Sequence, residues 1–253
     1  MRVFACQRPR KHGKISTACL RQKRPNAAPA AMRVGVSATA SNRKFYQSIA
    51  TKPWHKHRDI SASSKDLIPL LGPLLKQGDS WLDIGCGRGD LLRVAQDLGV
   101  EYQGIDLVLP QGVAQESQAG IVVGDFLQLE FSGTFALVSF FSSLHHFEDW
   151  RAAVERALRL LRPGGVLLVD QEPNPLWAVL YGAWLKWSSR EYPELLQVEI
   201  HWLQKAPIAP DDLPSGETMF HWDYFPGLGH VRVRSRNRRL AFLFPHYRKI
   251  MHA

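Results

Sequence analysis

The chain has 253 residues, 45% hydrophobic and 22% charged, an ordinary balance for a soluble globular fold of one domain with an extension. Its net charge of +9 conceals a split: residues 1–58 hold 14 Lys+Arg and no acid, while residues 59–253 set the other 18 against all 23 acids and so carry −5. That split removes most of the support for a nucleic-acid binder. Three cysteines exclude a disulfide framework, no CxxC or paired His/Cys spacing points to a metal, and the longest apolar stretch, 176–185, is shorter than the ~20 residues that span a bilayer.

Residues 1–58 are rich in Arg, Lys, Ala and Ser, without sustained apolar periodicity. This is the composition of a disordered basic extension and of an organelle transit peptide, with "VGVSATAS" as the processing region and chloroplast favoured over mitochondrion. A plain basic tail, or translation beginning at Met32 in the cytoplasm, is the alternative. Asp66–Lys76 then predicts a short helix made irregular by Pro69 and Pro73. "SWLDI" predicts a buried strand, and Gly89–Leu98 a helix. "VEYQGIDLV" and "GIVVGD" predict two more strands. Thr134–Phe141 is a continuous apolar run, as in a parallel strand covered on both faces. Glu148–Leu161 predicts a helix, "RPGG" its stop, and "VLLVD" a fifth strand. "HVRVRS" and "RLAFLF" flank "RNR" as a C-terminal antiparallel hairpin. The alternation predicts an α/β fold: a doubly wound, mainly parallel sheet in three α/β/α layers.

The stretch "SWLDIGCGRGD" is unusual, because an apolar strand ends in an acid, Asp83, and enters glycines at 85, 87 and 89. In open α/β sheets ligands bind at the strands' carboxyl ends, and glycines there let a ligand approach the backbone. The dinucleotide fingerprint needs Gly where Asp90 stands, and no GxxxxGK[ST] phosphate loop is present. An acid beside the loop suits a cationic ligand better than a diphosphate.

"LDIGCGRG" resembles the first motif of the class I S-adenosylmethionine-dependent methyltransferases. "GID", "VGDF", "LVSFFSSLHHFEDW" and "LRPGGVLLVD" resemble the family's later signposts, in order, over residues 66–172. The resemblance implies a Rossmann-like fold and S-adenosyl-L-methionine as cofactor. It implies contacts from Asp83, Gly85, Cys86, Gly87 and Gly89, with Asp106 on the ribose hydroxyls. Asp125 would accept from the adenine amine, with Phe126 beside the ring and Ser142 at the fourth strand's tip. Cys86 matters through its backbone. The implied reaction is in-line displacement of a methyl group, in which orientation alone lowers the barrier by about 7–11 kcal/mol. His145 and His146 are the candidate bases; His201, His221, Asp223 and Tyr224 lie on the substrate side.

The domain thus runs 59–253, with 173–228 as a substrate-side lid or insertion. Within it, 176–187 is apolar on nearly every face and reads as a buried helix, a lid, or a segment resting peripherally on a membrane. "MFHWDYFPGLGH" suggests an aromatic-walled pocket and a small aromatic or lipophilic acceptor. Two alternatives stand. One is a tRNA wobble-uridine methyltransferase, from a fainter resemblance and the arginines at 232–239. The other is an inactive methyltransferase-like assembly partner.

Overall fold

The computed structural model describes Arg43, Gln47 and residues 67–109, 120–175, 208–222, 233–244 and 246–253. The chain divides into two units, Met1–Gly35 and Val36–Ala253, and every described element belongs to the second. The extension 1–58 lies outside the described residues except for Arg43 and Gln47, which are helical and exposed although no apolar periodicity announces a helix there. The segment 176–187, His201, Asp223, Tyr224 and Arg232 also lie outside them.

The described elements follow the expected alternation. They are α1 (Leu67–Leu71), β1 (Ser80–Ile84), α2 (Leu92–Leu98), β2 (Glu101–Asp106), β3 (Ile121–Val123), β4 (Phe135–Phe141), α3 (Trp150–Arg159) and β5 (Leu161–Pro173). β6 (Glu217–Trp222), β7 (Val233–Ser235) and β8 (His246–His252) complete a sheet of order β3-β2-β1-β4-β5-β8-β6-β7. The first five strands are parallel, and β8 runs antiparallel to both β5 and β6.

Period-two alternation sorts the central strands onto two faces. Leu82, Ile84, Val138, Phe140, Leu167 and Val169 pack with Ala153, Val154 and Ala157 of α3. Trp81, Leu137, Phe141, Val166 and Leu168 pack with Leu67 and Leu71 of α1 and Val94 and Ala95 of α2. Each such side chain contributes about 1.5–3 kcal/mol by leaving water. The three layers are therefore held by two cores on opposite faces, and all parallel strands point their carboxyl ends at one edge.

Several boundaries differ from expectation for local reasons. α1 stops at Leu71 because Pro73 has no N–H to continue the ladder and disfavours helix at Gly72. α2 starts at Leu92 rather than Gly89 because Gly89 has φ +76°, outside helical space. α3 starts at Trp150, where Asp149 caps it by accepting from the Ala152 N–H at 3.0 Å. β5 is longer than "VLLVD": Leu161 already pairs with Phe135, and beyond a register shift at Val169/Glu172 the strand continues along β8.

The C-terminal antiparallel pairing exists but is built from other strands. β7 pairs with β6, whereas Arg238–Leu243 of "RLAFLF" forms a 3₁₀ helix. Asn237 caps its start, and Asn174 Nδ2 donates to the carbonyls of Ala241 and Phe244, both at 2.8 Å. The Ala241 carbonyl also accepts from the Phe244 N–H at 3.0 Å, which fills both of its acceptor positions within the turn. Of 173–228 only 173–175 and 208–222 are described, and there Glu217–Trp222 is a strand of the main sheet, with Phe220 in the core and His221 buried. Neither of these two side chains lines an open aromatic pocket.

Candidate active site

The chain leaves β1 at Ile84 and turns through Gly85, Gly87 and Gly89, with φ of +73°, +56° and +76°. Only glycine adopts these values without strain. The three positions are not equivalent. A Cβ on Gly85 would sit 2.4 Å from Ser143 Cβ, so β4's loop packs directly on the backbone there. At Gly87 a Cβ would meet nothing within 4 Å, so that backbone faces open space. Gly85 and Cys86 donate to the Ile105 carbonyl, and Gly87 N–H donates to Asp106 Oδ2 at 2.8 Å, tying the loop to β2.

Asp106 ends β2, and its Oδ1 also accepts from the Val108 N–H. Burial pushes its carboxyl up from the ordinary value, and the N–H groups of Gly87, Val108 and Leu107 oppose that shift. Asp83 lies beneath the loop rather than on its surface, 1% exposed. Ser139 Oγ donates to its Oδ1 at 2.6 Å, Tyr102 Oη donates to its Oδ2 at 2.8 Å, and Trp81 Nε1 donates to Ser139 Oγ. Burial raises the Asp83 carboxyl to about 6, against the pull of Ser139 and Tyr102. The Asp83 side chain is thus held under the loop by Tyr102 of β2 and Ser139 of β4.

Cys86 packs inward, its Sγ 2.7 Å from where a Gly104 Cβ would stand, and burial pushes its thiol far up. It is inert packing beneath the loop, and its backbone is what faces the turn. Asp125 caps a turn, accepting from the Leu127 N–H at 2.9 Å. The Phe126 ring is 2% exposed and meets Phe131, Phe140 and Phe147 edge-on or tilted at 5.9–6.2 Å. Its ring packs in the core, and Phe126 anchors the turn that presents Asp125.

At β4's tip, Ser142 has φ +53°, a strained value for a non-glycine residue, and its N–H donates to the Asp170 carbonyl at 2.8 Å. The next residues form a 3₁₀ turn, Leu144–His146. Ser143 Oγ donates to the Ile84 carbonyl at 2.6 Å, fastening this turn to the glycine loop. Glu172, a fully buried residue of β5, gathers the turn from the other side. Its Oε1 accepts from the Ser143 and Leu144 N–H groups at 3.1 and 2.9 Å, and its Oε2 accepts from the His145 N–H at 3.1 Å. His145 Nδ1 lies 3.0 Å from Oε2, and the half-buried His146 ring lies tilted, its centroid 4.0 Å from that of His145. Both expected histidines are therefore at the crevice.

A second buried charge group lies beside it. Asp170 faces His221 Nε2 at 3.2 Å and accepts from Arg248 Nε at 2.7 Å, all three residues under 5% exposed. Burial raises the Asp170 carboxyl, but Arg248 and His221 together outweigh it and hold it at about 2. His221 is thereby a structural partner of Asp170. Neither Glu172 nor Asp170 was expected from sequence. The available signal was "LLVDQE", a second apolar strand ending in acids, the same oddity as Asp83 in "SWLDI".

This arrangement fits a cationic nucleoside: a backbone cradle open at Gly87, a carboxylate at β2's tip, and negative charge under the loop. Among solved structures the chain is similar to the plantazolicin methyltransferase crystallised with a pentazolic desmethylPZN analog and SAH. The TM-score is 0.58 at 13% identity, over 85% of this chain and 95% of that one. It is also similar to a SAM-dependent methyltransferase of Thermotoga maritima described as a possible histamine N-methyltransferase. There the TM-score is 0.52 at 14% identity, over 83% and 99% of the chains. Both likenesses concern the fold. Among curated proteins it is 25% identical over 191 residues to the demethylmenaquinone methyltransferase of Staphylococcus aureus, covering 69% of this chain and 78% of that one. Residues 54–211 match the family model described as a methyltransferase domain, and the chain belongs to that family.

Proposed function

We propose that the chain methylates a small aromatic or lipophilic acceptor that gives up a proton as it reacts. The similarity to an enzyme named for demethylmenaquinone carries the acceptor class. Bound, the cofactor supplies a methyl group on cationic sulfur, and the carbon–sulfur electron pair stays on sulfur when the methyl leaves. In this reading Gly85–Gly89 and Ser142 cradle the cofactor, Asp106 holds its ribose hydroxyls and Asp125 its adenine amine. Asp83 favours the positive charge from beneath. His145 receives the acceptor's proton, with His146 beside it.

The tRNA alternative is not favoured. The domain carries −5, Arg236 pairs with Glu217 at 3.4 Å, and Arg238 forms two bonds to Asp211 at 2.7 and 3.1 Å. Incubating the full chain with methyl-labelled cofactor and, separately, a lipophilic naphthol, histamine and total tRNA tests the reading. Label should enter the naphthol. Label in tRNA instead, falling steeply with salt, would overturn it. The same reading takes residues 1–58 as an organellar address. A reporter carrying them should accumulate in plastids of plant cells, and diffuse cytoplasmic fluorescence would refute that.

A further inference from the structure

We infer that Glu172 is the positioning residue of the reaction: it sets the tautomer of His145 and fixes that ring relative to the methyl donor. The inference rests on the proposed transfer to a protic acceptor.

The chemistry follows from what Glu172 meets. Three of its four contacts are main-chain N–H groups, which can only donate. The carboxylate is therefore an acceptor at each, and His145 Nδ1, 3.0 Å from an oxygen already serving the His145 N–H, carries its proton toward Glu172. In the neutral ring Nε2 then holds the lone pair. As the acceptor reacts, its proton passes to Nε2 and its freed electron pair forms the bond to the methyl carbon. The imidazolium left behind faces the negative charge of Glu172, whose bonds to the turn do not have to change.

Position follows from the same contacts. Glu172 fastens Ser143, Leu144 and His145, while Ser143 Oγ bonds the Ile84 carbonyl and Ser143 Cβ occupies the space left by Gly85. One carboxylate thus references the base to the loop that cradles the donor. With Glu172 fully buried and the His145 side chain 8% exposed, water has little access to either. The pair is the sort of preorganised acceptor that catalysis by positioning requires.

Nitrogen-15 correlation spectra of the full chain test this directly. His145 should carry its ring proton on Nδ1, and Glu172→Gln, which offers an amide donor in place of one carboxylate oxygen, should move it to Nε2. A ring proton on Nε2 in the unaltered protein, or no change in Glu172→Gln, overturns the inference. Kinetics provide a second arm with substituted phenols as acceptors. Glu172→Gln should slow transfer to weakly acidic 4-methoxyphenol about 10²-fold, and transfer to the largely ionised 4-nitrophenol far less, because no proton remains to be removed. A purely structural role would slow both equally and would overturn the inference. His145→Gln leaves the main-chain bonds to Glu172 in place and should show the same dependence if Glu172→Gln does not fold; equal losses on both phenols in that variant also overturn it. If the unaltered protein labels no phenol, the proposed acceptor class falls, and the spectra still decide the role of Glu172.

Discussion

At the tips of β1 and β2 the crevice is made of backbone, and at the tips of β4 and β5 it is made of buried charge. The first half uses left-handed glycines and N–H groups 2 and 19 positions from the Asp106 they are tied to. The second half uses Glu172, whose side-chain carboxylate is reached from 27 to 29 positions away, and Asp170, whose carboxylate His221 and Arg248 reach from 51 and 78. A backbone cradle can be specified locally, by residue types that tolerate one conformation. A buried carboxylate exists only if distant partners arrive to compensate it. The backbone cradle is therefore tolerant except where glycine is obligatory, and the buried carboxylates, Asp83 beneath the loop included, are intolerant wherever a charge loses its partner.

The largest test of this contrast is Arg248→Met. It leaves the buried Asp170 with only His221 and the Gln171 N–H beside it and should destabilise the protein by about 3–5 kcal/mol, read as a fall in the urea midpoint. A change below about 1 kcal/mol would show that the acceptor half is not held by compensation. Next come the two glycines. Gly85→Ala should lose about 3 kcal/mol, adding overpacking against Ser143 to left-handed strain. Gly87→Ala should lose only the strain, about 1–2 kcal/mol, yet weaken S-adenosylmethionine binding in calorimetry. Equal stability losses would erase the distinction between a packed and a ligand-facing glycine.

Asp106→Ala should weaken cofactor binding at least tenfold, since charge-assisted hydrogen bonds contribute about 1.5–3 kcal/mol each and the Gly87 N–H also loses its anchor. An unchanged dissociation constant rejects that role. The smallest effect concerns Asp83, raised to about 6. As pH falls through 6 its charge is lost, so affinity for cationic S-adenosylmethionine should drop severalfold relative to neutral S-adenosylhomocysteine. Stability runs the other way. With an unfolded value of about 3.9, the folded state binds more protons between about 4 and 6, so this carboxyl's contribution to stability falls as pH rises across that window. Asp83→Asn should flatten both dependences.

The sequence exposes the fold and the cofactor half because both are local. Apolar runs such as Thr134–Phe141 declare their strands, and the glycines with Asp83 declare a ligand-bearing turn. It conceals Glu172 because nothing near "DQEP" indicates that Ser143 and His145 will meet it. The packing of the Phe126 ring is hidden for a related reason: nothing next to "VGDF" indicates that Phe140 and Phe147 will meet it. "RLAFLF" has the composition of a strand but loses two carbonyls to Asn174, some 70 positions upstream.

The placement of β8 has a consequence for how the molecule comes to be made. This last strand in chain order wedges between β5 and β6, so during synthesis β6 and β7 have no bridge to the parallel strands until residues 246–252 emerge from the ribosome. Until then β5 offers a bare edge, the kind of surface that invites pairing with another chain. A nascent molecule stalled before residue 246 would also lack Arg248, leaving Asp170 without its cation. Chaperone demand should accordingly persist until that strand has emerged.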